Sequence, residues 1–196
     1  MKRAFDLALA LAAGILLLPL MVTIACLVRL TSRGPALYWS NRVGRDNQIF
    51  QMPKFRSMRI DTPVVATHLL TDSRSWITPV GRFLRKTSLD ELPQLWSILR
   101  GDMSFVGPRP ALFNQDDLVA ARTVSGVHHL PPGLTGWAQV NGRDELSIPE
   151  KVAFDAEYRR RQSLWFDVRI LVMTAGKVLL SDGVRQADEL PARKAA

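Results

Sequence analysis

An uninterrupted apolar stretch near the N-terminus dominates the pattern of hydrophobic and polar positions. No charged residue occurs from Leu7 to Val28, about 22 positions, which is long enough for a membrane helix. Pro19 lies near the middle, where it removes a helical hydrogen bond and crowds the preceding turn. Basic residues flank both ends, and positive charge tends to stay in the cytoplasm. The pattern therefore predicts a membrane helix that is interrupted at Pro19.

Two topologies are compatible with this stretch. Halves of about 12 and 10 residues would each extend for roughly half of the ~30 Å hydrocarbon core. A re-entrant helix-break-helix, which returns to the same membrane face, accounts for the length, the proline and the flanking charges. A straight span with a tolerated proline kink accounts for the length and the proline. In either case Lys2 and Arg3 are predicted to contact lipid head groups.

The rest of the chain alternates short amphipathic segments with loops that are rich in glycine and proline. Turn residues within Val43–Gln48 predict a short β-hairpin. Leu92, Leu95, Trp96 and Leu99 follow the spacing of an amphipathic helix. Further helices are predicted over residues 114–125, from Pro149 onward, and over Leu164–Leu180.

These elements predict an α+β fold that is mostly helical. Its domains are expected to be a re-entrant membrane anchor over residues 1–33 and a small cytoplasmic catalytic domain over residues 34–186, which contains the β-hairpin. A disordered tail is expected over residues 187–196.

Composition adds a preference for anionic partners. The 196-residue chain carries a net charge of +8, which favours phosphates, nucleic acid or anionic lipid. No nucleic-acid partner is expected, because only Tyr158 accompanies the basic run Arg159–Arg161. A single cysteine, Cys26, excludes a disulfide or a thiolate metal cluster within one chain.

Two adjacent carboxylates, Asp90 and Glu91, stand in the basic surroundings of TSLDELPQLW. Ser88 and Glu91 have the spacing of a capping box, which would explain the acids structurally. Pro93 favours a helix start nearer to Asp90, and that start would remove Glu91 from capping. The alternative is phosphate chemistry, since a carboxylate can act as a covalent nucleophile and Mg²⁺ prefers one or two carboxylates plus substrate phosphates.

The segments KFRSM, SLDELPQLW, GDMSFVGPRP and PGLTGWAQVNGR follow one another in this order. Together they resemble the bacterial sugar transferases, which are monotopic phosphoglycosyl transferases, from about Lys2 to about Gln186. The resemblance implies a re-entrant helix, broken at Pro19, that anchors the enzyme at the cytoplasmic face of the bacterial inner membrane. Leu18 departs from the serine that many members have before this proline. Larger members carry an additional N-terminal membrane region, and this chain resembles the small form.

The resemblance also implies a reaction. A sugar-1-phosphate passes from a UDP-sugar to a polyprenyl (undecaprenyl) phosphate, and UMP is released, as the first membrane step of glycan assembly. Asp90 is the implied nucleophile, which forms a covalent phosphosugar intermediate, and Glu91, with Asp90, is implied in binding Mg²⁺. The implied phosphate-binding positions are Arg85, Arg109, Pro108 and Lys54, and weaker matches to a nucleotide-sugar site are Gln139, Asn141 and Arg143.

Two alternatives remain at this stage. A membrane-attached glycosyltransferase would pass on the sugar alone and release UDP. A membrane scaffold would use the acid pair only to cap a helix. A homodimer is compatible with the sequence. The sequence does not specify which UDP-sugar is the donor.

Overall fold

The computed structural model describes residues 1–62, 73–142 and 145–179. The helices are α1 (Lys2–Thr31), α2 (Ser73–Trp76), α3 (Pro79–Lys86), α4 (Leu95–Arg100), α5 (Asp116–Val124), α6 (Trp137–Val140), α7 (Ile148–Arg161) and α8 (Leu164–Leu179). The strands are β1 (Leu37–Val43), β2 (Ile49–Phe55), β3 (Ser104–Val106), β4 (Ala111–Leu112) and β5 (Gly133–Thr135). Short 3-10 helices occupy Arg45–Asn47, Leu89–Gln94 and Val127–His129. The mostly helical fold with a small sheet agrees with the predicted class.

The predicted β-hairpin is confirmed. β1 and β2 pair in antiparallel register, and β4 adds to the other side of β1. The connecting turn places Asp46 and Asn47 at φ angles of 53° and 60°. Asp and Asn are among the few residues that tolerate this left-handed conformation, because their short polar side chains can bond locally. A separate parallel pair joins β3 to β5.

Helix α1 differs from the prediction, because it is one helix of 30 residues with Pro19 inside it. The expected interruption into two helices is wrong as a description of the secondary structure. Proline removes a single backbone hydrogen bond, and a long apolar helix can tolerate that loss. One turn after the proline, the Thr23 hydroxyl donates to the Pro19 carbonyl at 2.9 Å. Among the described residues, α1 is the one helix that is both long enough and apolar enough to cross a membrane.

The N-terminal end of α1 binds the folded domain through charged side chains. Lys2 Nζ forms an ion pair with Asp167 at 2.6 Å and donates to the Val106 carbonyl at 3.1 Å. The Arg3 guanidinium donates to the Ile98 and Leu99 carbonyls at the end of α4. Lys2 and Arg3 thus have protein partners, and their contact with lipid head groups stays a prediction.

The C-terminal end of α1 packs on the same domain. Ile24 and Val28 are buried in a cluster with Phe55 of β2 and Leu84 of α3. Between the two packed ends, one face of the helix is exposed, with Ile15 at 75% and Leu16 at 78%. Helix α1 therefore touches the domain at both ends and presents an exposed apolar face in its middle.

A buried polar network connects α1, α7 and α8 to the end of β3. The Tyr158 hydroxyl donates to Asp167 at 2.6 Å and to the Val106 carbonyl at 3.2 Å. Burial, followed by the hydrogen bond to Asp167, raises the pKa of Tyr158. Asp6 accepts hydrogen bonds from the Ser104 hydroxyl and the Phe105 N–H. The network holds β3 in place immediately before the loop 107–110, which we call the GPRP loop.

The remaining helices follow the sequence pattern closely. The helix predicted over residues 114–125 is α5, and the last predicted helix is α8, which is described as far as Leu179. Helix α7 begins with a complete capping box between Ser147 and Glu150, with proline in its first turn. The proposed domain end at residue 186 and the tail 187–196 lie outside the described residues.

Candidate active site

The acid pair lies on the 3-10 helix Leu89–Gln94, directly before α4. Ser88 makes no capping bond with its side chain and adopts a left-handed φ of 56°. The capping interpretation of Ser88 and Glu91 is therefore wrong. Pro93 stands within the 3-10 segment, so α4 begins only at Leu95, later than a start at Ser88 would require.

The Glu91 side chain faces two cations from other elements. Its Oε1 accepts from Lys54 Nζ at 2.9 Å and from Arg109 Nη2 at 3.2 Å. Lys54 is on β2 and Arg109 is in the GPRP loop, so the contacts join three segments that are distant in sequence. Burial lowers the pKa of Lys54, and the charge of Glu91 opposes that shift. The contact of Lys54 with Glu91 places a basic side chain where an anionic substrate would bind.

Asp90 is buried, with 9% of its surface exposed. Burial raises the pKa of its carboxyl, with a smaller contribution from Glu91, while Lys54, Arg85 and Arg109 lower it. The sequence-predicted residues Asp90, Glu91, Lys54, Arg85 and Arg109 therefore act on one another electrostatically. A partly desolvated carboxylate among cations is the arrangement that a nucleophile toward a phosphate needs.

Close backbone packing fixes the GPRP loop against the segment that contains β5. Gly107 N–H donates to the Thr135 carbonyl at 2.9 Å, and Gly133 N–H donates to the Pro108 carbonyl at 2.9 Å. A Cβ atom on Gly133 would lie 2.1 Å from the Gly107 nitrogen, which leaves room only for glycine. Pro108 has no backbone N–H, so it shapes the loop and does not donate to a phosphate.

A buried ion pair also fixes the GPRP loop. The Arg122 guanidinium binds Asp155 Oδ2 through both Nε and Nη2, at 2.9 and 2.7 Å. Its third nitrogen, Nη1, donates to the Arg109 carbonyl at 2.7 Å. Asp155 is 1% exposed. The pair therefore fixes the backbone from which Arg109 reaches Glu91, although no motif in the sequence indicated either residue.

The motif-derived residues around α6 are bound locally. Gln139 Nε2 donates to the Leu134 carbonyl, and Asn141 Nδ2 donates to the Trp137 carbonyl. Arg143 lies outside the described residues. A nucleotide-sugar role for these three residues stays a prediction.

A separate group of possible metal ligands lies where the hairpin turn meets the 3-10 helix Val127–His129. Asp46, His128 and His129 bring one ligand atom each to within 4.8 Å of one another. His129 Nδ1 is already 2.7 Å from Asp46 Oδ1, and both side chains are largely exposed. This contact of His129 with Asp46 accounts for the arrangement, so we assign no metal there.

Arg42 is a cation near the acid pair that sequence reasoning missed. Residues 38, 40 and 42 share one face of β1, and register pairs Tyr38 with Lys54. The charges of Glu91 and Arg109 both act on Arg42. The alternation of side chains along the predicted hairpin could have indicated this residue. Once the register of β1 and β2 is known, Arg42 and Lys54 fall on the same face of the sheet.

The chain is similar to known sugar transferases. The sequence model of the family described as Bacterial sugar transferase matches residues 1–181. A UDP-galactose-lipid carrier transferase of Erwinia amylovora is 42% identical over 198 residues, covering 93% of this chain and 41% of the relative. A UDP-glucose:undecaprenyl-phosphate glucose-1-phosphate transferase of Escherichia coli is also 42% identical, covering 90% of this chain and 40% of the relative. An uncharacterized sugar transferase of Bacillus subtilis is 36% identical over 194 residues, covering 99% of this chain and 95% of the relative.

The chain spans about two fifths of the length of the first two relatives. It spans nearly all of the Bacillus protein. The family match extends over both the apolar helix and the acid-pair site, and therefore over most of the described structure. This chain belongs to the bacterial sugar transferase family.

Proposed function

We propose that the protein transfers a sugar-1-phosphate from a UDP-sugar to a polyprenyl phosphate and releases UMP. One observation carries the proposal: the buried Asp90 lies beside Glu91 at the point where Lys54 and Arg109 converge. The Erwinia relative is a UDP-galactose-lipid carrier transferase and the Escherichia relative is a UDP-glucose:undecaprenyl-phosphate glucose-1-phosphate transferase, so both support a UDP-sugar donor and a lipid acceptor. The product would enter the assembly of a bacterial glycan.

The chemistry consists of two displacements at one phosphorus atom. An Asp90 carboxylate oxygen attacks the β-phosphorus of the UDP-sugar, and the bond to the bridging oxygen breaks, so UMP leaves with that oxygen. The acceptor phosphate oxygen then attacks the same phosphorus and releases Asp90. Lys54 and Arg109 stabilise the negative charge that develops on the phosphate oxygens. Splitting the transfer lets the soluble donor leave before the lipid acceptor arrives.

The residues present fit a magnesium ion. Asp90 and Glu91 offer hard oxygen ligands side by side, and Mg²⁺ is commonly held by one or two carboxylates together with substrate phosphates. Bound there, the ion would supply Lewis-acid shielding of the diphosphate charge. We propose that Glu91 and Asp90 hold it, while Lys54 and Arg109 shift from Glu91 toward the substrate phosphate.

The proposed membrane topology is re-entrant, with the domain on the cytoplasmic face of the inner membrane. Both ends of α1 pack on one domain, through Lys2 and Asp6 at the start and through Ile24 and Val28 near the end. A helix that crosses a bilayer places its two ends on opposite sides, about 30 Å apart. Contact at both ends with a single small domain favours entry from one side, with the exposed middle of α1 in the lipid.

The topology predicts the side on which both ends of α1 are accessible. In a Cys26→Ser background, Ala4→Cys and Arg33→Cys introduce single thiols at exposed positions near the two ends. Neither thiol should react with an impermeant maleimide added outside spheroplasts, and both should react after permeabilisation. Labelling of one position from outside would show that the helix spans the membrane.

The reaction is tested by its nucleotide product. Protein in nanodiscs, supplied with a panel of UDP-sugars and undecaprenyl phosphate, is expected to release UMP with at least one sugar. A chelator should stop the release, and added Mg²⁺ should restore it. Release of UDP would show instead that only the sugar is transferred, and full turnover in chelator would remove the metal from the mechanism.

A further inference from the structure

A further cation, Arg42, lies beside the acid-pair site. Among the described residues, Lys54, Arg85 and Arg109 act on Asp90, and Arg42 joins Arg109 beside Glu91. The half-buried Arg42 forms no ion pair with any described acid. A partly desolvated cation without an acidic partner favours a bound anion.

Two neutral acceptors fix the orientation of Arg42. Its Nε donates to the buried Ser40 hydroxyl at 3.0 Å, and its Nη1 donates to the Pro110 carbonyl at 3.2 Å. Ser40 lies two residues back along β1, and Pro110 directly precedes the neighbouring strand β4, so the guanidinium is held between β1 and the GPRP loop. Neither acceptor cancels the charge. Burial lowers the pKa of Arg42 to about 10, with Arg109 acting in the same direction, so the group stays protonated at neutral pH.

Arg42 contacts the GPRP loop on the side of Pro110. The charges that act on Asp90 are those of Lys54, Glu91, Arg85 and Arg109, and Arg42 is not among them. Arg42 is instead close to Glu91 and Arg109, from the side of Pro110. A diphosphate whose β-phosphate faces Asp90 would therefore extend its other phosphate toward Arg42.

We propose that Arg42, held by Ser40 and the Pro110 carbonyl, forms a second phosphate subsite for the nucleoside-monophosphate part of the donor. The proposal rests on the proposed function, and it assigns to Arg42 the phosphate that departs with the nucleotide. The guanidinium holds that phosphate in line with Asp90 and stabilises its charge as the bridging bond breaks. Because the nucleotide leaves after the first displacement, Arg42 has no role in the transfer to the lipid.

The experiment compares Arg42→Gln and Arg42→Lys with a matched control, Arg45→Gln. Arg45 lies on the same hairpin, but its side chain is 67% exposed and pairs with Asp46. UMP binding is measured by calorimetry with protein in nanodiscs. The UMP dissociation constant should rise about 10- to 100-fold in Arg42→Gln, as expected for the loss of a charged hydrogen bond, and should stay unchanged in Arg45→Gln. Arg42→Lys should bind UMP with intermediate affinity, because lysine keeps the charge and loses the fork geometry.

The two half-reactions separate this inference from the proposed function. UMP release on mixing with UDP-sugar alone should slow in Arg42→Gln, whereas transfer from the isolated phosphosugar-enzyme to undecaprenyl phosphate should proceed at the wild-type rate. Unchanged UMP affinity in a folded Arg42→Gln protein, or equal slowing of both half-reactions, would overturn the subsite. Failure of the wild-type protein to release UMP from any UDP-sugar, with or without lipid, would instead overturn the proposed function, while the UMP affinities would still decide whether Arg42 binds the nucleotide phosphate.

Discussion

Replacing Asp90 with asparagine is expected to abolish UMP release from a UDP-sugar in the absence of lipid, with a loss of about 10⁴-fold or more. The amide has nearly the same shape but cannot form the acyl-phosphate bond. The wild-type protein should release about one equivalent of UMP and gain the mass of a phosphosugar on the peptide that contains residues 87–96. Asp116→Asn, an exposed acid at the start of α5, should behave as the wild type. Normal lipid product from Asp90→Asn would rule out covalent catalysis by this residue.

The folded state of the same variant is checked by its pH-dependent stability. Burial raises the pKa of Asp90 above its unfolded value of 3.8, so ionising it lowers stability at every pH above its folded pKa. The loss disappears below the unfolded pKa, where the carboxyl is protonated in both states. Asp90→Asn should therefore melt higher than the wild type at pH 7 in chelator, by about 2–4 °C per kcal/mol relieved, and the difference should shrink in acid. A lower melting temperature at pH 7 would contradict the cost assigned to burial.

Replacing Asp155 with alanine is expected to cost about 3–5 kcal/mol of unfolding free energy, because it leaves the Arg122 guanidinium buried without its counter-charge. The change should also weaken donor binding, since Arg122 fixes the Arg109 carbonyl. Thermal unfolding in detergent and the KM for UDP-sugar measure the two effects. Asp61→Ala removes an Arg–Asp pair with Arg59 at the surface, and should leave both the melting temperature and the KM nearly unchanged.

A double variant separates stability from loop positioning. Arg122→Met with Asp155→Leu replaces the buried pair by apolar side chains and should recover most of the stability. It cannot donate to the Arg109 carbonyl, so the raised KM for UDP-sugar should persist. A double variant with normal KM would show that the pair supports only the fold.

Two identical sequence patterns behave differently in this protein, and they show how far sequence reasoning reaches. Ser147 and Glu150 form the capping box that the spacing predicts, at the exposed start of α7. Ser88 and Glu91 have the same spacing and form none. The difference comes from Lys54 and Arg109, which draw the Glu91 carboxylate away from the helix end. Local spacing predicts a cap only where no stronger long-range partner competes.

The amino-acid order by itself determined the apolar helix, the hairpin with its Asp–Asn turn, most of the later helices and the identity of the acid pair. These features depend on contacts within a few residues, or on motifs whose order is distinctive. Tertiary structure alone decided that α1 continues through Pro19 and packs on the domain at both ends. It alone also placed Arg42, Arg122 and Asp155 around the GPRP loop. Those positions follow from strand register, a buried ion pair and side-chain bonds to backbone carbonyls, between residues that lie 13 to 68 positions apart, and no local pattern encodes such contacts.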